Sequence, residues 1–180
     1  MSYDFKWNKL NANMVDFAFP HRYSNFVSLA TALTLSRIQA QASLVEQVVK
    51  DHVKYGASSS SRSTLTPAFF VNVYPFESKL LAVKAFAKKS FRMPTFNDLY
   101  YADMGNSKLN PESALQYDLG FVLNKDWKQG IVDHFRLQVD GYYNTVYDKI
   151  VAYPKGQQFR WTMLNLGKVH IKGVDAMAEV

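Results

Sequence analysis

The residue types best suited to chemistry are scattered along this chain. His21, His52, His134 and His170 lie far apart and show no ligand spacing such as His-x-x-x-His. There is no cysteine, which removes disulfide frameworks, thiolate zinc sites and thiol catalysis. Asp140 and Asp148 fall on one extended segment, too far apart for a glycosidase pair, which needs about 5–9.5 Å. No Gly-rich phosphate loop and no nucleophile elbow is present. The expectation is a protein that is not an enzyme and carries neither a resident metal nor a cofactor.

Recognition chemistry concentrates instead in one long connection. Phe91-Arg92-Met93-Pro94 closes an alternating segment, and Pro94 ends ladder pairing and starts the loop. Arg92 is long enough to reach a loop carboxylate such as Asp98, so pinning of the loop is preferred to ligand contact as its role. Gly105 and Asn106 suit a turn needing positive φ, and Pro111-Glu112 marks re-entry into extended structure. Phe96, Tyr100 and Tyr101 offer aromatic faces to an apolar or catecholate ligand, or pack the loop onto the rim beneath it. Lys155, Gln157, Gln158 and Arg160 form a second polar loop suited to anion recognition.

The elements that must position these groups are strands. A period of two runs through about seven segments: residues 26–35, 37–45, 64–74, 80–92, 115–123, 134–150 and 163–180. In the fifth, Leu115, Tyr117, Leu119, Phe121 and Leu123 alternate with Gln116, Asp118, Gly120 and Val122. The sixth is about 17 residues, or roughly 55 Å at the usual rise, longer than a soluble sandwich needs. In the last, Val169 and Ile171 fall out of phase with Val174, Ala176, Ala178 and Val180, and Gly173 between them suits a β-bulge. Residues 28–49, rich in Ala, Leu and Gln, fit a helix as well, but the Phe, Tyr, Val and Thr of the other segments decide for strand.

Composition agrees with a folded wall. The 180 residues are 48% apolar and 15% aromatic, which excludes a disordered chain. Mean hydropathy is −0.20, and no window reaches about 18 apolar residues, so a helical span is excluded while a barrel span is not. The net charge of +6 is spread without an RNA-binding motif, so nucleic acid is not an expected partner. The first residues lack the layout of a signal peptide, so the chain is read either as cytoplasmic or as missing its front.

Two features favour the membrane. Connections alternate short and long, with 153–162 intermediate, as in outer-membrane barrels with short turns at one end and long loops at the other. The apolar sets of the third to sixth segments carry no charge through their middles, and Tyr117, Trp127, Tyr143, Tyr147 and Trp161 fall near segment ends, where an interfacial girdle lies. The opposite face holds Arg37, Gln39, Gln41, Asn72, Lys84, Lys88, Gln116, Asp118, Arg136, Gln138, Asp140 and Asn144, which a dry interior would not keep unpaired. Lys88, Lys89 and Arg92 cluster near one strand end, either against lipopolysaccharide phosphates or as ordinary surface charge.

The chain resembles a TonB-dependent outer-membrane receptor. The resemblance rests on Phe91-Arg92-Met93-Pro94 followed by Asn97-Asp98-Leu99-Tyr100, Gly105-Asn106, Leu109, Pro111-Glu112 and Tyr117-Asp118-Leu119-Gly120. Gly141-Tyr142-Tyr143-Asn144 with Asp148-Lys149-Ile150, and Asn165-Leu166-Gly167 through Asp175, resemble later receptor strands. The resemblance implies an all-β antiparallel meander of about seven or eight strands, residues 1–180 being part of a larger barrel whose plug domain and closing strands lie elsewhere. It also implies a Gram-negative outer-membrane location, contact with outer-membrane lipid, and energy from the TonB complex acting through the plug. The cargo it implies is a scarce nutrient such as an iron-siderophore or cobalamin. The competing readings are a soluble β-sheet binding module and a passive porin.

Overall fold

The computed structural model describes residues 1–101, 104–127, 133–156 and 160–180. The alternating segments form eight strands: β1 (Ser2–Lys9), β2 (His21–Thr34), β3 (Ile38–His52), β4 (Arg62–Val73), β5 (Leu81–Arg92), β6 (Glu112–Asp126), β7 (His134–Lys155) and β8 (Arg160–Glu179). One helix, α1 (Phe96–Tyr100), sits between β5 and β6. Each strand pairs antiparallel with its neighbours in sequence, giving one open sheet in the order β1 to β8. The extra strand is β1, in which Tyr3, Phe5 and Trp7 pair with Val27, Asn25 and Tyr23. The stretch that fits either period is strand: Leu29 pairs with Leu44 and Ala42 with Phe69, so both flanks of β3 find ladder partners.

Register carries the alternation across the sheet. Ile38, Val73, Val83, Phe121, Val139 and Ala176 form one continuous cross-strand row. The next row reads Gln39, Asn72, Lys84, Gly120, Asp140 and Asp175. Because side chains alternate in direction along a strand, the first row lies on an apolar face and the second on a polar one.

Among the described residues nothing covers the apolar face. Leu119 is 64% exposed and Val174 73%, and Leu65, Phe69 and Phe121 are exposed as well. Among the described residues the buried apolar side chains are Phe17, Val49, Leu99, Leu109, Val122 and Ile150, and Leu99, Leu109 and Ile150 form a small cluster under the loop. Leu65, Phe69 and Leu119 thus form no sandwich core among the described residues, and the patch they expose is larger than a soluble monomer usually carries.

Several local expectations are corrected. The β7–β8 register is unbroken through Tyr142↔Gly173, so there is no bulge at Gly173, and Val169 and Ile171 share the polar face with Asp175. A Cβ on Gly173 would collide with the Tyr142 ring, so the glycine serves close approach rather than a phase change. The ladder is interrupted instead at Asp148, where φ is 52°, and pairing resumes at Lys149↔Leu166.

The β7–β8 connection is also shorter than expected, because β7 runs to Lys155 and β8 starts at Arg160. Trp161, paired with Pro154 in that extension, stands far beyond the Tyr143–Lys172 pair and is not part of the girdle with Tyr117 and Tyr143. Of the polar turn expected at 124–130, Asn124 to Asp126 belong to β6 and Gly130 lies outside the described residues. The last correction concerns Lys88, Lys89 and Arg92: Lys88 and Arg92 share the polar face with Gln116 and Glu112, and Lys89 alone of the three lies on the apolar face, opposite Leu115.

Candidate functional site

The loop from Pro94 to Pro111 lies across the polar face at the end of the sheet where the long connections gather. Arg92 and Glu112 are directly paired on β5 and β6, with Arg92 Nε donating to Glu112 Oε2 at 2.8 Å. Asp98 is a more distant partner, 3.8 Å from the guanidinium. Glu112 Oε1 accepts the Ile150 N–H at 2.6 Å and lies 3.5 Å from Lys149 Nζ. The β7 backbone near the Asp148 break is thereby satisfied by a side chain instead of the ladder. The Arg92 hydrogen bond, followed by the Ile150 N–H and the nearby cations, outweighs burial and holds the Glu112 carboxyl down at about 2. The same bond raises Arg92 against its own desolvation. Both groups lie on the loop side of the Tyr117–Tyr143 row.

Pro94 is fully buried and turns the chain into α1. Thr95 caps the helix: its Oγ1 accepts the Asp98 N–H at 3.1 Å while Asp98 Oδ2 accepts the Thr95 N–H at 2.8 Å, a reciprocal box that makes so short a helix viable. Asn97 is exposed, and its carbonyl accepts the Tyr101 N–H. Leu99 packs with Leu109 and Ile150.

Gly105 and Asn106 do not adopt positive φ, contrary to the expected turn. The Cβ that Gly105 lacks would lie 2.7 Å from the backbone nitrogens of Tyr100 and Tyr101, so the glycine is required by close approach to the end of α1. Asn106 bridges instead, donating from Nδ2 to the Met163 carbonyl at 3.0 Å and accepting the Lys108 N–H at 3.0 Å. Asn165, across on β8, accepts the Asn110 N–H and donates to the carbonyls of Asn110 and Asp148. Pro111 follows Asn110 and leads into β6, where Glu112 is buried.

The aromatic candidates divide between the two roles open to them. The Phe96 ring stands 6.3 Å from that of Tyr100 and 5.1 Å from the Arg22 guanidinium. Tyr100 Oη accepts the Ser59 N–H at 2.9 Å, and burial, the largest influence, raises its pKa. These two rings hold the loop to β2 and to the β3–β4 connection. Tyr101 is 48% exposed and free to present its ring. Arg160 is the first residue of β8 and Lys155 the last of β7, whereas Gln157 and Gln158 lie outside the described residues.

Two arrangements were not visible in the sequence. Arg22 makes two parallel 2.7 Å hydrogen bonds to Asp51, whose side chain is wholly buried. His21 and His52, also paired across β2 and β3, stack at 5.5 Å. Both pairs join residues some thirty positions apart, which only register brings together. The cross-strand hydrogen-bonding of Arg22 places a bidentate ion pair directly under Phe96. Among the described residues no group of three or more His, Asp or Glu is arranged to hold a metal ion.

The remaining polar face is a wettable wall. Lys84 Nζ lies 2.8 Å from Asp140 Oδ1, Gln138 Nε2 donates to Asp140 Oδ2 at 2.7 Å, and Asp118 and Asp175 stand nearby. Together with the loop, this gives a polar surface roofed at one end by an anchored, partly aromatic segment. It is a surface suited to binding polar molecules.

Comparison with known proteins places this geometry. The family model described as TonB dependent receptor-like, beta-barrel, matches residues 7–179. The chain is similar to the vitamin B12 transporter BtuB of Vibrio vulnificus, with 30% identity over 88 residues, 49% of this chain and 13% of that protein. It is similar to BtuB of Photobacterium profundum, with 31% identity over 108 residues, 54% of this chain and 16% of that protein. The matches thus span only a small part of these relatives' length.

Among solved structures it resembles the Serratia marcescens hemophore receptor HasR, a double mutant in complex with the hemophore HasA and heme. The TM-score is 0.76 at 13% identity, over 98% of this chain and 36% of that one. The copper transporter OprC matches with a TM-score of 0.63 at 20% identity, over 90% of this chain and 26% of that one. Both are likenesses of fold.

Proposed function

The chain belongs to the TonB-dependent receptor family as a stretch of its outer-membrane β-barrel, and from that premise we propose that it walls a transporter for a scarce nutrient, an iron-siderophore or cobalamin. Members of the family are receptors and transporters of Gram-negative outer membranes, not enzymes. The observation that carries the proposal is the continuity of the family match over residues 7–179, which takes in all of β2 to β8 and the anchored loop.

The apolar face, with Leu65, Phe69, Val71, Val83, Leu119, Phe121, Leu137 and Val139, meets lipid, where an uncharged band about 25 Å tall is needed. The polar face looks into the lumen, where a plug domain contributed elsewhere in the protein is contacted by the TonB complex. Arg92, Pro94, Asn97, Asp98, Gly105, Asn106, Pro111 and Glu112 hold the loop in shape. Tyr101 is offered to the nutrient at the mouth, Phe96 and Tyr100 set the surface on which it lands, and Arg160, the first residue of β8, is the further candidate for nutrient contact. The two BtuB relatives favour cobalamin as the first cargo to test.

The test is uptake of labelled cobalamin and labelled ferric siderophore by cells expressing the full-length receptor that contains this chain, with and without a working TonB complex. Accumulation of one cargo only when the complex works is the expected result. Unselective passage of small solutes in cells lacking the complex would establish the passive porin instead.

A further inference from the structure

The α1 loop is fastened on both sides. Toward β2, the Phe96 ring stands 5.1 Å from the Arg22 guanidinium, and Tyr100 Oη accepts the Ser59 N–H at 2.9 Å on the β3–β4 connection. Arg62, the first residue of β4, donates from Nη2 to Asn110 Oδ1 at 3.0 Å. Toward β8, the Met163 N–H donates to the Met104 carbonyl at 3.0 Å, and Asn106 Nδ2 donates to the Met163 carbonyl at the same distance. Adjacent residues of α1 divide between the two sides: Leu99 is buried with Ile150 of β7, and Tyr100 meets the β3–β4 connection. β2 and β8 are six strands apart, about 29 Å along the wall at the usual spacing. Phe96 and Asn106, which reach those two strands, are separated by only ten positions. The loop is therefore a tie across the lumen side of the wall.

Two of the fastenings on the β2 side lead to one residue, Asp51. Its side chain has no solvent exposure, and its two oxygens accept Arg22 Nε and Nη2 at 2.7 Å each. Its main-chain carbonyl accepts Ser58 Oγ at 2.6 Å, beside the Ser59 N–H that holds Tyr100. The fork fixes the guanidinium, so the cation is in place before Phe96 packs on it, and lysine would not supply the two parallel bonds. The ladder already joins β2 to β3, and a buried ion pair adds little net stability to it. What the pair supplies is an oriented cation for Phe96.

We infer that Arg22, clamped by Asp51, is a positioning residue for the cargo surface: acting through Phe96 it moors α1, so that the loop is a rigid roof and not a lid. A lid swings from one side and has a free edge, whereas freeing this loop breaks contacts to both ends of the wall. Tyr101 follows α1 directly, and its N–H donates to the Asn97 carbonyl, so it moves only when α1 moves. That Tyr101 meets cargo rests on the transport reading proposed above, and the mooring does not.

The experiment uses the full-length receptor in nanodiscs, freed of any other cysteine, with spin labels at the exposed positions Asn97→Cys and Lys50→Cys on β3, or Asn97→Cys and Lys168→Cys on β8. In the otherwise native protein both distances are expected to be narrow and unchanged by saturating cobalamin or ferric siderophore. R22Q/D51N, in which two amides still pair across the strands, should broaden the Asn97–Lys50 distance. F96L should do the same, the two together no more than either alone, since one contact is lost, and F96Y should keep the native width. In cells, R22Q/D51N and F96L should need about fivefold more cargo for half-maximal uptake, the worth of one partly buried cation–π contact, with the maximal rate unchanged. A role in folding alone would lower the maximal rate and leave the half-maximal concentration where it was, which would overturn the inference. So would a shift of the native distances on adding cargo, losses that add in the combined variant, or broadening in F96Y. A native receptor that accumulates neither cargo would overturn the transport reading instead, and the label distances read without cargo would still decide the mooring.

Discussion

Gly120 is placed so that any Cβ would fall on the Asp140 carboxylate beside it. The two residues pair across β6 and β7, and the vacancy at Gly120 lets Asp140 lean over β6 to reach Lys84 on β5 at 2.8 Å. Gly120→Ala should therefore push the carboxylate off its cation and destabilise the barrel by about 1–3 kcal/mol, the usual range for overpacking. Thermal unfolding of the full-length receptor in detergent checks this. In a double-mutant cycle, Gly120→Ala should cost less once Asp140 is Ala, the remainder coming from the Val139 carbonyl oxygen, 2.8 Å from the same Cβ. Additive losses would mean that Gly120 serves the strand backbone and not the carboxylate.

Acid should loosen the loop before it unfolds the sheet. Glu112 has its pKa lowered to about 2, with the Arg92 hydrogen bond the largest cause. A depressed carboxylate contributes stability that is fully present above its unfolded value, near 4.3, and is lost as pH falls through the folded value. Because the chain has no cysteine, a spin label at Asn97→Cys reports the loop within this stretch. Its mobility should be flat from pH 7 to about pH 5 and rise between about pH 4 and pH 2. Glu112→Gln should raise mobility at neutral pH, by an amount corresponding to about 1–3 kcal/mol of lost anchoring, and flatten the acid response.

Tyr100 and Tyr101 are adjacent in sequence but differ in what they touch. Tyr100→Phe removes the acceptor for the Ser59 N–H and should raise protease cleavage of the loop several-fold, for a cost of about 1–2 kcal/mol. Tyr101→Ala removes an exposed ring and should leave cleavage unchanged while weakening cargo binding by about tenfold, measured on cells as the concentration for half-maximal uptake. Unchanged binding in Tyr101→Ala would remove it from the ligand surface.

The difference between those tyrosines shows where the sequence stops being legible. Period two separates Leu119 from Asp118 and Val139 from Gln138 because direction along a strand is a local property. The reach of Arg92 toward Asp98 is legible because one short stretch of chain joins them, whereas its closer partner, Glu112, is brought opposite it only by the β5–β6 register. Arg22–Asp51 is not, because the pairing of β2 with β3 depends on a register that turn length alone fixes only to within a residue or two. Gly173 and Gly105 fail differently. A glycine signals a bulge, a positive φ or a close neighbour with the same letter, and here the neighbour, Tyr142 in one case and the end of α1 in the other, decides. β1 escapes because Tyr3, Phe5 and Trp7 alternate over too few residues to stand out until Val27, Asn25 and Tyr23 lie beside them.

The facing of β7 is open to a direct test at two adjacent positions. Val139 sits in the apolar row between Phe121 and Ala176, so Val139→Lys places an ammonium against mid-bilayer hydrocarbon and should cost about 2–4 kcal/mol. Gln138 sits on the polar face between Val122 and Met177, with Asp140 in hydrogen-bond contact. Gln138→Lys exchanges an amide donor for a cation beside that carboxylate, and its charge remains in water, so the change should stay within about 1 kcal/mol. Folding free energies of the two full-length variants in lipid vesicles decide the matter. Equal tolerance would mean that neither face meets hydrocarbon, and the reverse order would turn the sheet inside out, moving Lys168 and Lys172 into the lumen and Asp140 onto the lipid side.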